Sequence, residues 1–234
     1  TRVESGALQQ FALALPALLF SLVAHEVAHA WVALTQGDTT ARDLGRITFN
    51  PAKHIDPVMT ILVPALLFIS SGGAFWFGGA KPVPVQPRNY RNYKRGDILV
   101  SLAGVTTNFV LAFVFAGLAL VLGLILRSGP VAAGSPALAD GLTTLFDMVR
   151  IGIFVNLGLC AFNLLPIPPL DGSHVFKYLL PPAWSLQYQA LGRMGFLVLL
   201  LVLWIGRPLI MAWMAPAFAL GGWLQTQVLH VIMR

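Results

Sequence analysis

Charge is scarce in this sequence. Only 10% of its 234 residues are Asp, Glu, Lys or Arg, while 57% are hydrophobic. Soluble domains carry about 25% charged residues, so this composition excludes an ordinary soluble enzyme, a disordered chain and a charged coiled coil. Cysteine is nearly absent. The lone Cys160 excludes an internal disulfide and a multi-cysteine metal site, and its apolar neighbours make it a packing residue. Acid is scarcer than base, with 9 Asp and Glu against 15 Lys and Arg, a net charge of +6. In a soluble protein that excess would suggest nucleic acid. With a mean hydropathy of +0.76 it instead suggests basic loops on the cytoplasmic side of a membrane, and no nucleic-acid partner is expected. A small-residue cleavage site is also missing after the first apolar stretch, so that stretch is expected to remain as a span.

What the chain does have is long apolar runs. Residues 5–25, 57–80, 98–126, 151–170, 194–206 and 208–233 are free of Asp, Glu, Lys and Arg. All but 194–206 reach the roughly 20 residues that cross a bilayer as helix, and that one lengthens backwards to a helix over about 184–205. The expected fold is an all-α polytopic membrane protein, one domain over 1–234, with about five to six membrane-embedded segments. The 57–80 run differs in texture, because Pro64, Gly72-Gly73 and Gly78-Gly79 weaken a continuous helix and suit a broken or re-entrant segment. Gly45-Arg46-Ile47-Thr48-Phe49 has strand composition, and Asn50-Pro51 ends it.

Ionisable residues interrupt the first run as His25-Glu26-Val27-Ala28-His29. Helical residues four apart share a face, so the two imidazoles can present nitrogens to one Zn²⁺, with Glu26 beside them to take a proton from water. The alternative is three polar residues at a span end, reaching the interface or hydrogen-bonding neighbouring helices; because burying two imidazoles and a carboxylate without partners costs several kcal/mol, a metal site that uses all three is favoured. A catalytic zinc normally takes three protein ligands. No further His or Glu follows at zincin spacing, so the third must come from a distant segment. Asp171 is the leading candidate, since Pro166, Pro168 and Pro169 break the 151–170 run just before it; a plain loop acid is the other reading.

The pair formed by HEVAH and Asn163-Leu164-Leu165-Pro166-Ile167-Pro168-Pro169-Leu170-Asp171-Gly172 resembles the HExxH and NxxPxPxLDG signatures of the site-2 protease family of intramembrane zinc metalloproteases. The intervening 45–51, 80–85 and 103–108 segments resemble those of its small bacterial members. The resemblance implies His25, His29 and Asp171 as zinc ligands and Glu26 as catalytic acid and base. It also implies a transmembrane protein as substrate and a multi-pass place in the cell membrane, the inner membrane for a bacterial protein. The family's AGPxxN pattern reads Ala103-Gly104-Val105-Thr106-Thr107-Asn108 here, with Val105 where proline is common. No PDZ-like or cystathionine-synthase-like domain is expected in 234 residues, so the chain resembles a minimal catalytic core.

The site constrains topology. HExxH and Asp171 each lie toward the C-terminal end of a span, so these two helices are expected to run in the same direction with one crossing, 98–126, between them. The 57–80 segment must then enter and return on one face. Residues 36–97 carry Lys or Arg at 42, 46, 53, 81, 88, 91, 94 and 95, whereas 127–150 carries two, which places the first loop and Asp171 toward the cytoplasm. A transmembrane substrate must unwind locally to expose its carbonyls, and 45–49 or 57–80 could pair with the extended stretch. Asn108 and Asn163 are candidates for binding substrate backbone or the oxyanion, with interhelical hydrogen bonds as the alternative. A multispan zinc transporter or non-hydrolytic metal-binding membrane protein is the rival function, disfavoured because His54, His174 and His230 are scattered.

Overall fold

The computed structural model describes residues 2–70, 78–128 and 135–233. The chain forms the helices α1 (Arg2–Gln36), α2 (Thr40–Asp43), α3 (Val63–Ser70), α4 (Tyr93–Arg127) and α5 (Pro136–Asn163). These are followed by α6 (Asp171–Phe176), α7 (Pro182–Leu191), α8 (Gly195–Ile205) and α9 (Arg207–Met233). Three of the helices are long and apolar enough to cross a membrane: Leu8–Gln36 within α1, α4 and α5.

The bundle is inside-out relative to a soluble protein. Along α4, Phe109, Val110, Phe113, Val114, Leu118, Val121, Leu124 and Ile125 are exposed, while Gly104, Asn108, Ala112, Ala116 and Ala119 face inward. Such an apolar outer stripe suits lipid, and small inner residues let helix backbones approach closely. The core where α1, α4, α5 and α9 meet includes Ala17, Ala112, Phe115, Ala119, Ile153, Leu157 and Leu224. Contacts fix the directions. His29 bonds to Val100 and His25 to Asn108, so α1 and α4 are antiparallel; Asn108 meets Asn156 and Phe115 lies against Gly152, so α4 and α5 are antiparallel too, and α1 and α5 run alike. α9 runs back along α5, from the Trp213 indole on the Ala161 carbonyl to Arg127 on the Ile232 carbonyl beside α4.

Several boundaries differ from the charge-free runs. α5 starts at Pro136, well before residue 151, because Asp140, Asp147 and Arg150 sit within its first turns, the last two as an i,i+3 pair at 3.5 Å. It stops at Asn163 rather than 170, since Pro166 lacks an N–H and disfavours helical backbone at Leu165. The single helix expected over 184–205 is instead α7 and α8, bent by 89° across a short 3-10 turn at Gly192–Met194. Gly195 lies at this bend with the Pro169 ring so near that an added Cβ would meet its Cδ at 3.1 Å.

No strand forms among the described residues, including the one expected at 45–49. The neighbouring extended segment at 80–86 cannot supply a ladder, because Pro82 and Pro84 have no N–H and the Arg46 guanidinium already takes the Lys81 and Pro82 carbonyls. Residues 71–77 of the expected re-entrant segment lie outside the described residues, but its two ends meet. A π-helical turn, Pro57–Leu62, leads into α3, and the Gly79 amide donates to the Met59 carbonyl while the Thr60 hydroxyl donates to the Gly79 carbonyl. Residues 37–56 and 78–92 together form an irregular collar over the end of α1 that bears the histidines. The Lys81 amide donates to the His54 carbonyl, the Arg91 amide to the Gln36 carbonyl and the Gln86 amide to the Asp38 carboxylate.

Candidate metal centre

α1 carries His25 and His29 one turn apart, both buried on the face that packs against α4. Close approach depends on Gly104, where a Cβ would lie 2.5 Å from ring atoms of both imidazoles. Each ring is then fixed from behind. His25 Nδ1 lies 2.6 Å from Asn108 Oδ1, and His29 Nδ1 lies 2.6 Å from the Val100 carbonyl oxygen. Both oxygens are acceptors, so each Nδ1 carries the proton and each Nε2 keeps its lone pair.

The Asn108 amide cannot turn around. Its Nδ2 donates to the Ser21 carbonyl at 3.3 Å and to Asn156 Oδ1 at 3.0 Å, and Asn156 Nδ2 donates to Ser21 Oγ at 2.8 Å and the Gly152 carbonyl at 2.9 Å. Ser21 Oγ ends the chain by donating to the Ala17 carbonyl. Asn108 and Asn156 are fully buried. Asn108, expected from sequence as a substrate contact, therefore faces His25 and the helix interior rather than the cavity. Asn156 and Ser21 were not singled out in the sequence, although a polar residue in the 151–170 run was an available signal.

Asp171 comes from the far side of the bundle. The proline-bearing turn after α5 folds back through bonds from Leu165 to Phe162 and from Leu170 to Ile167, and α6 then opens on Asp171. Gly172 makes this turn possible, because a Cβ there would collide with the Leu164 carbonyl oxygen. Asp171 Oδ2 lies 3.1 Å from His25 Nε2 and 3.3 Å from His29 Nε2, and the two Nε2 atoms are 2.9 Å apart.

Three acceptor atoms thus converge with no proton among them, and Asp171 Oδ2 is buried with no hydrogen-bond donor. Such a cluster needs a cation at its centre. A tetrahedral zinc with bonds of about 2.0–2.1 Å separates its ligand atoms by about 3.3 Å, so the two-nitrogen, one-oxygen set fits that ion in number, chemistry and spacing. It is also the one group of three or more His, Cys, Asp or Glu able to hold a metal among the described residues.

Beside it lies a cavity of about 290 Å³ that His25, Glu26, His29, Val83, Asn163 and Asp171 help to line. The Val83 amide donates to Glu26 Oε2 at 2.7 Å, which holds the carboxylate at the edge of the cluster. Asn163 Nδ2 donates back to the Leu159 carbonyl at 3.0 Å within α5, so this asparagine, unlike Asn108, borders the cavity. The arrangement offers a set of metal ligands, a carboxylate next to it and a cavity alongside, a combination suited to metal-assisted hydrolysis.

Comparison with known proteins agrees with this chemistry. Residues 123–203 match the model of Peptidase family M50. The chain is 39% identical over 185 residues to the Bacillus subtilis protein named "Putative zinc metalloprotease YwhC", covering 79% of this chain and 77% of that protein. It is 31% identical over 193 residues to the similarly named Rip2 of Mycolicibacterium smegmatis, covering 82% and 67% of the two chains. The Rip2 protein of Mycobacterium tuberculosis strain H37Rv is also 31% identical, over 203 residues, with 87% and 70% covered. No solved structure matches the chain.

Proposed function

This chain belongs to peptidase family M50, and we propose that it is an intramembrane zinc metalloprotease of the site-2 type that hydrolyses peptide bonds in or near transmembrane segments of other membrane proteins. The observation that carries this reading is the meeting of His25, His29 and Asp171 beside Glu26, in a cavity sunk within an apolar-faced bundle. His25 Nε2, His29 Nε2 and an Asp171 oxygen would hold the ion. When bound, Zn²⁺ supplies a Lewis acid that acidifies water and polarises the scissile carbonyl.

The chain's own groups do the rest. Glu26 takes a proton from the attacking water and passes it to the leaving amine nitrogen. The Val83 amide keeps that carboxylate aimed at the cluster. Asn108 and the Val100 carbonyl lock the imidazole tautomers, while Asn163, at the cavity wall, contacts substrate backbone. Asn108 is thereby assigned to orienting His25.

In the membrane, α1, α4 and α5 cross, and α9 packs along α4 and α5. The meeting of Gly79 with Met59 and Thr60 supports a re-entrant 57–80 segment on the same side as the collar. The collar's basic residues favour a cytoplasmic position for that side and for the zinc site, in a cell membrane, the inner one for a bacterial protein. A zinc transporter is less well supported, since no second metal cluster lies along a path among the described residues.

The test is Glu26→Gln, with zinc measured by mass spectrometry and cleavage followed on a membrane-tethered reporter. Retained zinc with cleavage lowered by about 10³-fold or more is expected. Cleavage at the wild-type rate would remove Glu26 from the mechanism.

A further inference from the structure

One ionisable side chain in the cavity has no part in the ligand set. His174 sits three residues after Asp171 on α6, so both project toward the same cavity, and its side chain is 47% exposed. Its Nδ1 lies 3.3 Å from Asp97 Oδ1. Asp97 is 3% exposed and cannot turn away, because its other oxygen takes Lys177 Nζ at 2.6 Å and the Tyr178 hydroxyl at 2.8 Å. A fixed buried carboxylate on Nδ1 sets the ring orientation and leaves Nε2 as the nitrogen available to the cavity. Structure alone does not require this: a solvated histidine at an α6 surface would need neither a buried acid nor a place in the cavity wall.

We propose that His174 is a further catalytic residue, whose Nε2–H donates to the scissile carbonyl oxygen as it becomes an oxyanion. The assignment rests on the protease reading. As the water oxygen bonds to the carbonyl carbon, the C=O π pair moves onto the carbonyl oxygen, where Nε2–H meets it. When the C–N bond breaks, that pair re-forms the carbonyl and the leaving amine takes the proton held by Glu26. His174 keeps its own proton throughout. With its Nδ1 on Asp97, the ring bridges that carboxylate and the oxyanion, a donor fixed before charge develops.

Two substitutions separate this from a structural role. His174→Asn keeps a donor where Nδ1 was, facing Asp97, and deletes Nε2. His174→Gln carries an amide N–H toward the Nε2 position. The probes are a fluorophore–quencher peptide of extended apolar sequence and a phosphinic analogue of the same sequence, which presents an anionic tetrahedral oxygen. For His174→Asn, kcat is expected to fall by about 100-fold with KM little changed, and affinity for the phosphinic peptide to fall comparably. Zinc content and Tm stay at wild-type values, and His174→Gln recovers part of both losses. His174→Asn with kcat and phosphinic affinity within twofold of wild type overturns the proposal while leaving the protease reading intact. A zinc-loaded wild-type protein that neither cleaves the one peptide nor binds the other overturns both.

Discussion

The bundle interior and the collar above it satisfy their polar groups in opposite ways. Inside the bundle, helices pair most backbone groups internally, and buried side chains bond to one another in a chain from His25 through Asn108 and Asn156 to Ser21. In the collar, Pro51, Pro82, Pro84 and Pro87 interrupt regular structure, and side-chain oxygens pick up the stranded amides. Asn50 takes Ala52, Asp56 takes Val58 and Met59, Asp38 takes Gln86 and Thr40, and Glu26 takes Val83. The site lies at the junction. Its imidazoles belong to the bundle, its Glu26 carboxylate is held by the collar, and Asp171 arrives on a proline-bearing turn that belongs to neither.

That difference predicts a graded response to substitution, greatest where a ligand is removed. Asp171→Ala leaves the α1–α4 contact untouched, so the protein is expected to fold with its metal-free Tm unchanged. Two nitrogens then remain, and zinc content should drop to background with cleavage lowered by on the order of 10³-fold or more. Mass spectrometry of the purified protein and a reporter assay read both. Full zinc occupancy in this variant would remove Asp171 from the ligand set.

Next comes the helix contact itself. Gly104→Ala places a methyl 2.5 Å from atoms of both imidazoles, and neither ring can give way, because Asn108 and Val100 hold them from behind. The helices must part, at a cost of about 1–3 kcal/mol, and zinc affinity should fall with the Tm. Gly117→Ala, also on α4 but with nothing within 4 Å of the added Cβ, is the matched control and should leave both unchanged. Equal behaviour of the two variants would mean that Gly104 serves helix flexibility rather than close approach.

What the sequence could and could not reveal follows the same division. HExxH was legible because its geometry is local: four residues of helix bring His25 and His29 to one face whatever surrounds them. The parallel course of α1 and α5 was legible too, since two ligand-bearing ends must reach one depth. Asn108 was visible as polar in an apolar run, but whether it faced substrate or a neighbouring imidazole depended on α4 being turned by Gly104, a long-range packing fact. The bend between α7 and α8 and the early start of α5 escaped because charge-free stretches mark where hydrocarbon begins, not where helices do. The 45–49 strand failed for a collar reason: a strand needs a partner ladder, and the adjacent chain carries prolines at alternate positions.

The smallest effect is expected where the collar is fastened. Burial raises the Asp38 pKa, but hydrogen bonds from the Thr40 hydroxyl, the Asn89 amide and the Gln86 and Thr40 backbone amides outweigh it and hold the carboxyl below its ordinary value. A depressed folded-state pKa means that the ionised carboxylate stabilises the fold above the unfolded value of about 3.9, and that this contribution disappears as pH falls through the lower folded value. Asp38→Asn should therefore cost about 1–3 kcal/mol near pH 7, with the Tm difference from wild type closing below about pH 4. Because Asp38 grips Gln86, three residues from the Val83 amide that steers Glu26, cleavage should weaken modestly while zinc content holds. Loss of zinc in this variant would mean that collar and bundle are not separable and that the ligands depend on the loops above them. Retained zinc with slower cleavage would locate the control of the base, and not of the metal, in the collar.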